Sequence, residues 1–215
     1  MKRLVLPRLY VILDAALLTV PETECAQKLA DAGVRLLQYR NKSASSRELF
    51  ESSKRLASQL APQGVTFMVN DRADIASVVD AAGVHVGQDD LSVEAARRVI
   101  GTEKWVGVST HNLEQLERSV ATSADYVAVG PVFATSTKAN PDPVVGIDFI
   151  RRVRALTSKP IVAIGGITLA RAAEVIRAGA DSVAVVSDVV CAPDPGRRAR
   201  QYMDLLEAAN HAAHV

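Results

Sequence analysis

The chain has 215 residues, 48% of them hydrophobic and 23% charged, with a net charge of +1. That balance excludes a disordered chain and fits one compact domain, 1–215, with a full core. It offers no global field for nucleic acid or an anionic membrane, so any polyanion must be met by a local cluster.

Short apolar runs rich in Val and Ile predict eight strands, at roughly 9–13, 36–39, 65–69, 84–86, 105–108, 126–129, 161–164 and 182–186. They lack long polar/apolar alternation, as expected of strands covered on both faces. Helical spacing fills the intervals. A helix fits 22–32, and Ser45-Ser46-Arg47-Glu48 has capping-box spacing ahead of Leu49, Phe50 and Leu56. A further helix fits 72–80; Ser92 can cap the next, and Asn112-Leu113-Glu114-Gln115 opens the one carrying Leu116 and Val120. Helices at 146–156, after Thr168 and at 195–210 complete the series. Ala30-Asp31-Ala32-Gly33, Asp80-Ala81-Ala82-Gly83 and Arg177-Ala178-Gly179-Ala180 resemble one another as helix-to-strand joints closed by glycine.

Each run stops at polar or glycine residues. Parallel strands ending on one rim would gather these stops into one site, which predicts a (β/α)8 TIM barrel. An open doubly wound sheet would concentrate its ligand groups at one switch point, whereas here they follow almost every strand.

Only Cys25 and Cys191 are present, which allows one disulfide, but a reduced cytoplasmic protein is the expectation. Leu4, Val5 and Leu6 are too few for the apolar core of a signal peptide, and Pro7 interrupts them. No run approaches the ~20 residues of a membrane span.

The chemistry at the stops favours phosphorylated ligands. Gln38, Arg40 and Lys42 alternate at the end of the second strand, so one face can offer an amide, a bidentate guanidinium and an ammonium. Asp71 and Asp90 end consecutive strands and can share a hard cation such as Mg²⁺, with Asn70 beside them; helix or loop capping is the competing role. Thr135, Ser136, Thr137 and Lys138 lie in a long loop, 131–146, able to close on a phosphate. Gly165 and Gly166 after the seventh strand, with Val186 and Ser187 after the eighth, occupy the usual place of a barrel's phosphate cradle. His85 reads as a hydrogen-bonded core residue, His111 as an acid/base or a loop residue, and His211 and His214 as tail residues.

Segments spread over nearly the whole chain resemble the thiamine phosphate synthase family. They include Gln38-Tyr39-Arg40-Asn41-Lys42, Asn70-Asp71-Arg72-Ala73-Asp74, His85-Val86-Gly87-Gln88-Asp89-Asp90, Ser109-Thr110-His111, Gly130-Pro131 through Lys138, Ile164-Gly165-Gly166 and Val186-Ser187. Against that pattern Ala134 and Asp188 read as ordinary variation. The resemblance implies a Mg²⁺-dependent transferase. It would join 4-amino-2-methyl-5-(diphosphooxymethyl)pyrimidine to 4-methyl-5-(2-phosphoethyl)thiazole, giving thiamine phosphate and pyrophosphate. It places Gln38, Tyr39, Arg40, Asn41, Lys42, Asn70, Ser109 and Lys138 on the pyrimidine diphosphate, with Arg40, Lys42 and Lys138 assisting departure. Asp71 and Asp90 would hold Mg²⁺; Thr135, Ser136, Thr137, Gly166, Val186 and Ser187 would hold the thiazole phosphate. The partners so implied are these small molecules, without nucleic acid or membrane, and a homo-oligomer is left open.

Three rivals remain. A thiazole tautomerase of similar fold would need an acid/base such as His111 and no metal-bound diphosphate site. A sugar-phosphate isomerase or epimerase rests on the phosphate cradle alone. A non-catalytic module would bind both precursors and release no pyrophosphate.

Overall fold

The computed structural model describes residues 4–135, 137 and 142–211, with only the backbone of Asn210 and His211. Ser136, Lys138 and His214, together with the side chain of His211, therefore lie outside what is described. The first four strands are β1 (Leu9–Asp14), β2 (Leu36–Arg40), β3 (Thr66–Asn70) and β4 (Gly83–Val86). The other four are β5 (Trp105–Thr110), β6 (Tyr126–Val129), β7 (Ile161–Ile164) and β8 (Ser182–Val185). All pair in parallel with their sequence neighbours, and β8 pairs with β1 to close the barrel. The expected (β/α)8 architecture is the one found.

Helices cover the outside. They are α1 (Glu22–Asp31), α2 (Ser46–Leu60), α3 (Ala73–Val78), α4 (Val93–Ile100) and α5 (Leu113–Val120). They continue as α6 (Ile147–Leu156), α7 (Leu169–Arg177), a one-turn α8 (Ser187–Val190) and α9 (Pro195–His211). Ser45 and Glu48 form the capping box on α2, and Ser92 and Asn112 cap α4 and α5. Gln115 does not close a box on Asn112; its Oε1 accepts from the His111 amide instead, at 2.7 Å. Thr168 makes no side-chain cap on α7: the Leu169 amide donates to Asp188, 3.1 Å away.

Alternation along the strands divides the core in two. Leu9, Val11 and Leu13 of β1 face the helices, whereas Tyr10 and Ile12 face the barrel axis with Leu36, Met68, Tyr126, Ala128, Val162 and Ala184. Burying each large side chain in either layer contributes roughly 1.5–3 kcal/mol. The same period of two carries the polar strand ends inward: Asp14 pairs in register with Arg40, and Asn70 with His85.

One joint differs from expectation. Gly33 and Gly179 take the left-handed turn after their helices, at φ 103° and 113°. Gly83 does not: it already belongs to β4, and the left-handed residue there is Asp80, at φ 55°. Its glycine identity answers packing, since a Cβ would stand 2.2 Å from the Trp105 carbonyl oxygen.

Candidate active site

The carboxyl ends of β1, β2 and β5 to β8 surround a cavity of about 390 Å³. Its wall includes Asp14, Arg40, Ser109, His111, Thr135, Thr137, Gly166, Val186, Ser187 and Asp188.

On the β6 to β8 side the wall includes Gly130, Gly165 and Gly166. Gly165 and Gly166 follow β7 at φ 98° and 60°. A Cβ on Gly166 would meet the Ala134 oxygen at 2.3 Å, and one on Gly165 would meet Pro131 at 2.5 Å, so glycine is required twice over. The base of the 131–146 loop is strapped down, with Val132 and Phe133 amides donating to the Ile164 and Gly165 carbonyls at 2.9 and 3.0 Å. Thr135 and Thr137 hydrogen-bond to each other at 3.2 Å and face the cavity. After β8 the chain bends at Val186 directly into α8, so the Ser187 hydroxyl stands at a helix start whose first amides have no partner within the helix.

Asp188, read from the sequence as ordinary variation, ties three elements behind this wall. One carboxylate oxygen accepts from the Leu169 amide and, at 2.6 Å, from the Tyr202 hydroxyl. Arg198 lies 3.9 Å from the same oxygen. Burial and this carboxylate together push the Tyr202 phenol up, keeping it a neutral donor.

Charge collects on the other side. Arg40 reaches the mouth and pairs with Asp14, which is 2% exposed. Asp14 was missed in the sequence, although it ends the first strand as the other polar residues end theirs. Lys42 pairs with Asp71, and the Asp71 and Asp90 carboxyls are close enough to shift each other's pKa. Asp71 sits in left-handed backbone, φ 63°, while its amide donates to the His85 carbonyl at 2.7 Å. That sharp exit from β3 aims the carboxylate toward β4, where Asp90 accepts from the Gly87 amide at 2.8 Å. Asp71 does not cap α3; Arg72 stands at that position without a side-chain cap.

Burial, then the neighbouring Asp90, raises the Asp71 pKa against the opposing pull of Lys42. For Asp90, burial acts upward, but the hydrogen bonds from Asp71 and the Gly87 amide, aided by Lys42, bring it below the ordinary carboxylate range. Two neighbouring carboxyl groups thus push their pKa values apart. Among the described residues no group of three His, Cys, Asp or Glu side chains forms a metal cage. A pair of hard oxygen donors that repel when ionised is nonetheless suited to Mg²⁺, which keeps waters and phosphate oxygens as its other ligands.

Several expected residues are not in the cavity wall. Gln38 is 2% exposed and lies one inward-facing step below Arg40, its amide nitrogen donating to the Tyr10 hydroxyl at 2.7 Å. The Tyr39 side chain faces the opposite way, packed in the layer between barrel and helices, so it is corrected from a site residue to a core residue. Asn41 shapes the loop, its Oδ1 accepting from the Ser43 and Ala44 amides. Lys42, Asp71 and Asp90 form a cluster beside the cavity, and Asn70 ends β3 next to them. His111 borders the cavity with Nδ1 held by the Gly130 carbonyl, 2.5 Å away, and Nε2 3.5 Å from Asp142. Cys25 is buried and Cys191 exposed, both as free thiols. No described helix is long and apolar enough to cross a membrane.

Residues 9–189 match the family model for thiamine monophosphate synthase. A thiamine-phosphate synthase of Koribacter versatilis (strain Ellin345) is 52% identical over 210 residues, covering 94% of this chain and 97% of the relative. One from Chloroflexus aurantiacus is 47% identical over 207 residues, covering 96% and 95%. The solved thiamine phosphate pyrophosphorylase of Pyrococcus furiosus superposes with a TM-score of 0.85 at 34% identity, covering 94% of this chain and 96% of that one.

Proposed function

Because this chain belongs to the thiamine monophosphate synthase family, we propose that it acts as a thiamine-phosphate synthase, a transferase whose two sides of the mouth take two different phosphorylated precursors. The whole chain, 1–215, works as one catalytic domain, in the cytoplasm. The observation that carries the division is the Lys42–Asp71–Asp90 cluster standing beside a cavity whose far wall is glycine backbone and Ser187.

The pyrimidine diphosphate lies on the charged side. Asp71 and Asp90 would hold Mg²⁺, which would neutralise part of the diphosphate charge when bound. Arg40 and Lys42 then trade their carboxylate partners for diphosphate oxygens, and Lys138 joins them from its loop. Negative charge grows on the diphosphate as its bond to the pyrimidine methylene breaks, so these cations bind it more tightly late in the step than early. Asn70 and Ser109 hold the pyrimidine end. The positive charge left on the methylene is spread by the aminopyrimidine ring.

The thiazole phosphate lies on the opposite side. Gly166 and the Val186–Ser187 amides approach its oxygens closely, with Thr135, Ser136 and Thr137 adding hydroxyls. Anchored there, the thiazole nitrogen attacks the methylene; positioning of this kind supplies several kcal/mol of barrier reduction. That nitrogen carries no proton, so no general base is needed, in keeping with a His111 fixed by the Gly130 carbonyl. The Lys42–Asp71–Asp90 cluster, for which a tautomerase has no use, disfavours that rival.

The direct test mixes both precursors with Mg²⁺, with and without chelator, and follows thiamine phosphate and pyrophosphate. Binding of both precursors without pyrophosphate release would leave only a binding module. A fluorine-substituted pyrimidine should react far more slowly; an undiminished rate removes the dissociative step.

A further inference from the structure

A chain of side chains crosses the barrel beneath the site. Gln38 donates to the Tyr10 hydroxyl at 2.7 Å; Tyr10 and Tyr126 hydroxyls are 3.2 Å apart. Tyr126 reaches His85 Nδ1 at 3.0 Å, and His85 Nε2 reaches the Ser109 hydroxyl at 2.9 Å. Ser109 borders the cavity. Four of the five residues in the path are no more than 8% exposed, so water does not compete along most of it. The space is reserved for it: a Cβ on Gly107 would fall 2.1 Å from Tyr126 Cζ. Tyr126 also stacks on His85, with centroids 5.6 Å apart and planes 25° from parallel.

We infer that Gln38 and Tyr126 are positioning residues that set the tautomer of His85 and thereby make the Ser109 hydroxyl a hydrogen-bond donor toward the substrate. One order gives every donor along the path an acceptor. Burial pushes the Tyr10 phenol up to about 12 and Tyr126 well above its ordinary value, so each carries one proton. In that order Tyr10 accepts from the Gln38 amide and gives its own proton to Tyr126. Tyr126 then donates to His85 Nδ1, which fixes the Nε2–H imidazole. Nε2–H donates to Ser109, whose own proton is left for the cavity. A substrate atom beside Ser109 must therefore be an acceptor, such as a ring nitrogen or an anionic oxygen, and an analogue presenting an N–H there is rejected.

This inference rests on the proposed reading for the identity of the substrate, but not for the tautomer. The test is long-range ¹⁵N–¹H NMR of histidine-labelled protein without ligands, followed by steady-state kinetics. His85 should show the neutral Nε2–H pattern in the wild type and lose it in Tyr126→Phe, which removes one oxygen and keeps the ring. Gln38→Met, which deletes the leading donor, should give mixed tautomers. In Tyr126→Phe, kcat/KM for the pyrimidine substrate should fall roughly tenfold while KM for the thiazole phosphate holds. A wild-type His85 protonated on Nδ1 overturns the inference even if no variant folds. So does an unchanged tautomer in Tyr126→Phe, or a changed one without loss on the pyrimidine side. Wild-type protein that has the tautomer but makes no thiamine phosphate would instead sink the proposed reaction.

Discussion

In the proposed reading the two sides of the barrel mouth solve the same problem, holding phosphate, with opposite materials. From β2 to β4 the groups are ionised side chains, each already engaged with another: Arg40 with Asp14, Lys42 with Asp71, Asp71 with Asp90. From β7 to β8 they are glycine backbone and a hydroxyl at the start of α8, with the Asp188 carboxylate tied to α7 and α9. Paired charges can change partners as a leaving group gains charge; fixed amides hold a group whose charge stays constant. On the proposed reading the charged side suits the molecule that breaks, and the backbone side the molecule that must be held still.

The sharpest way to break this contrast is to remove a carboxylate. Asp71→Ala or Asp90→Ala should lower Mg²⁺-dependent turnover by about 10²–10³-fold, with little effect on thiazole phosphate binding measured by calorimetry. Full activity in both variants would remove the cation from the site. Gly166→Ala should act on the other side only. The close Ala134 oxygen and the positive φ cost about 1–3 kcal/mol in urea unfolding, and KM for the thiazole phosphate should rise at least tenfold while that for the diphosphate stays put. Ser187→Ala removes one hydroxyl and should weaken the same substrate about tenfold; equal loss on both substrates would show the division is wrong. Asp188→Ala loosens the ties to Leu169 and Tyr202, for about 1–3 kcal/mol of stability with a smaller rise in the same KM. As the control outside the mouth, Ser45→Ala should cost about 1 kcal/mol through the α2 cap and leave turnover unchanged.

Legibility in the sequence follows the same divide. Strands of Val and Ile ending at polar residues told the barrel, because burial on both faces leaves a continuous apolar run. Period two correctly put Gln38 and Arg40 on one face, yet it could not tell that Gln38 stops a layer short of the cavity. Tyr39 and Asn41 were drawn in by belonging to the segment that carries the resemblance, and alternation argues against Tyr39. Asp14 was legible by the rule applied to every other strand and was overlooked. Asp188 was not: its role depends on α7 and α9 meeting α8, which no local pattern reports. Gly83 misled because glycine before a strand marks a turn more often than a crowded neighbour.

Asp71 is a non-glycine residue in backbone that glycine would occupy more easily. Glycine there would relax the main chain and erase the anion; alanine would do neither job; glutamate would keep the charge on a longer arm less tolerant of that conformation. Only asparagine shares aspartate's comfort in this region, and it is neutral. The position is therefore a narrow passage for inheritance: a lineage leaving aspartate has almost no neighbour to step onto without surrendering either shape or ionisation.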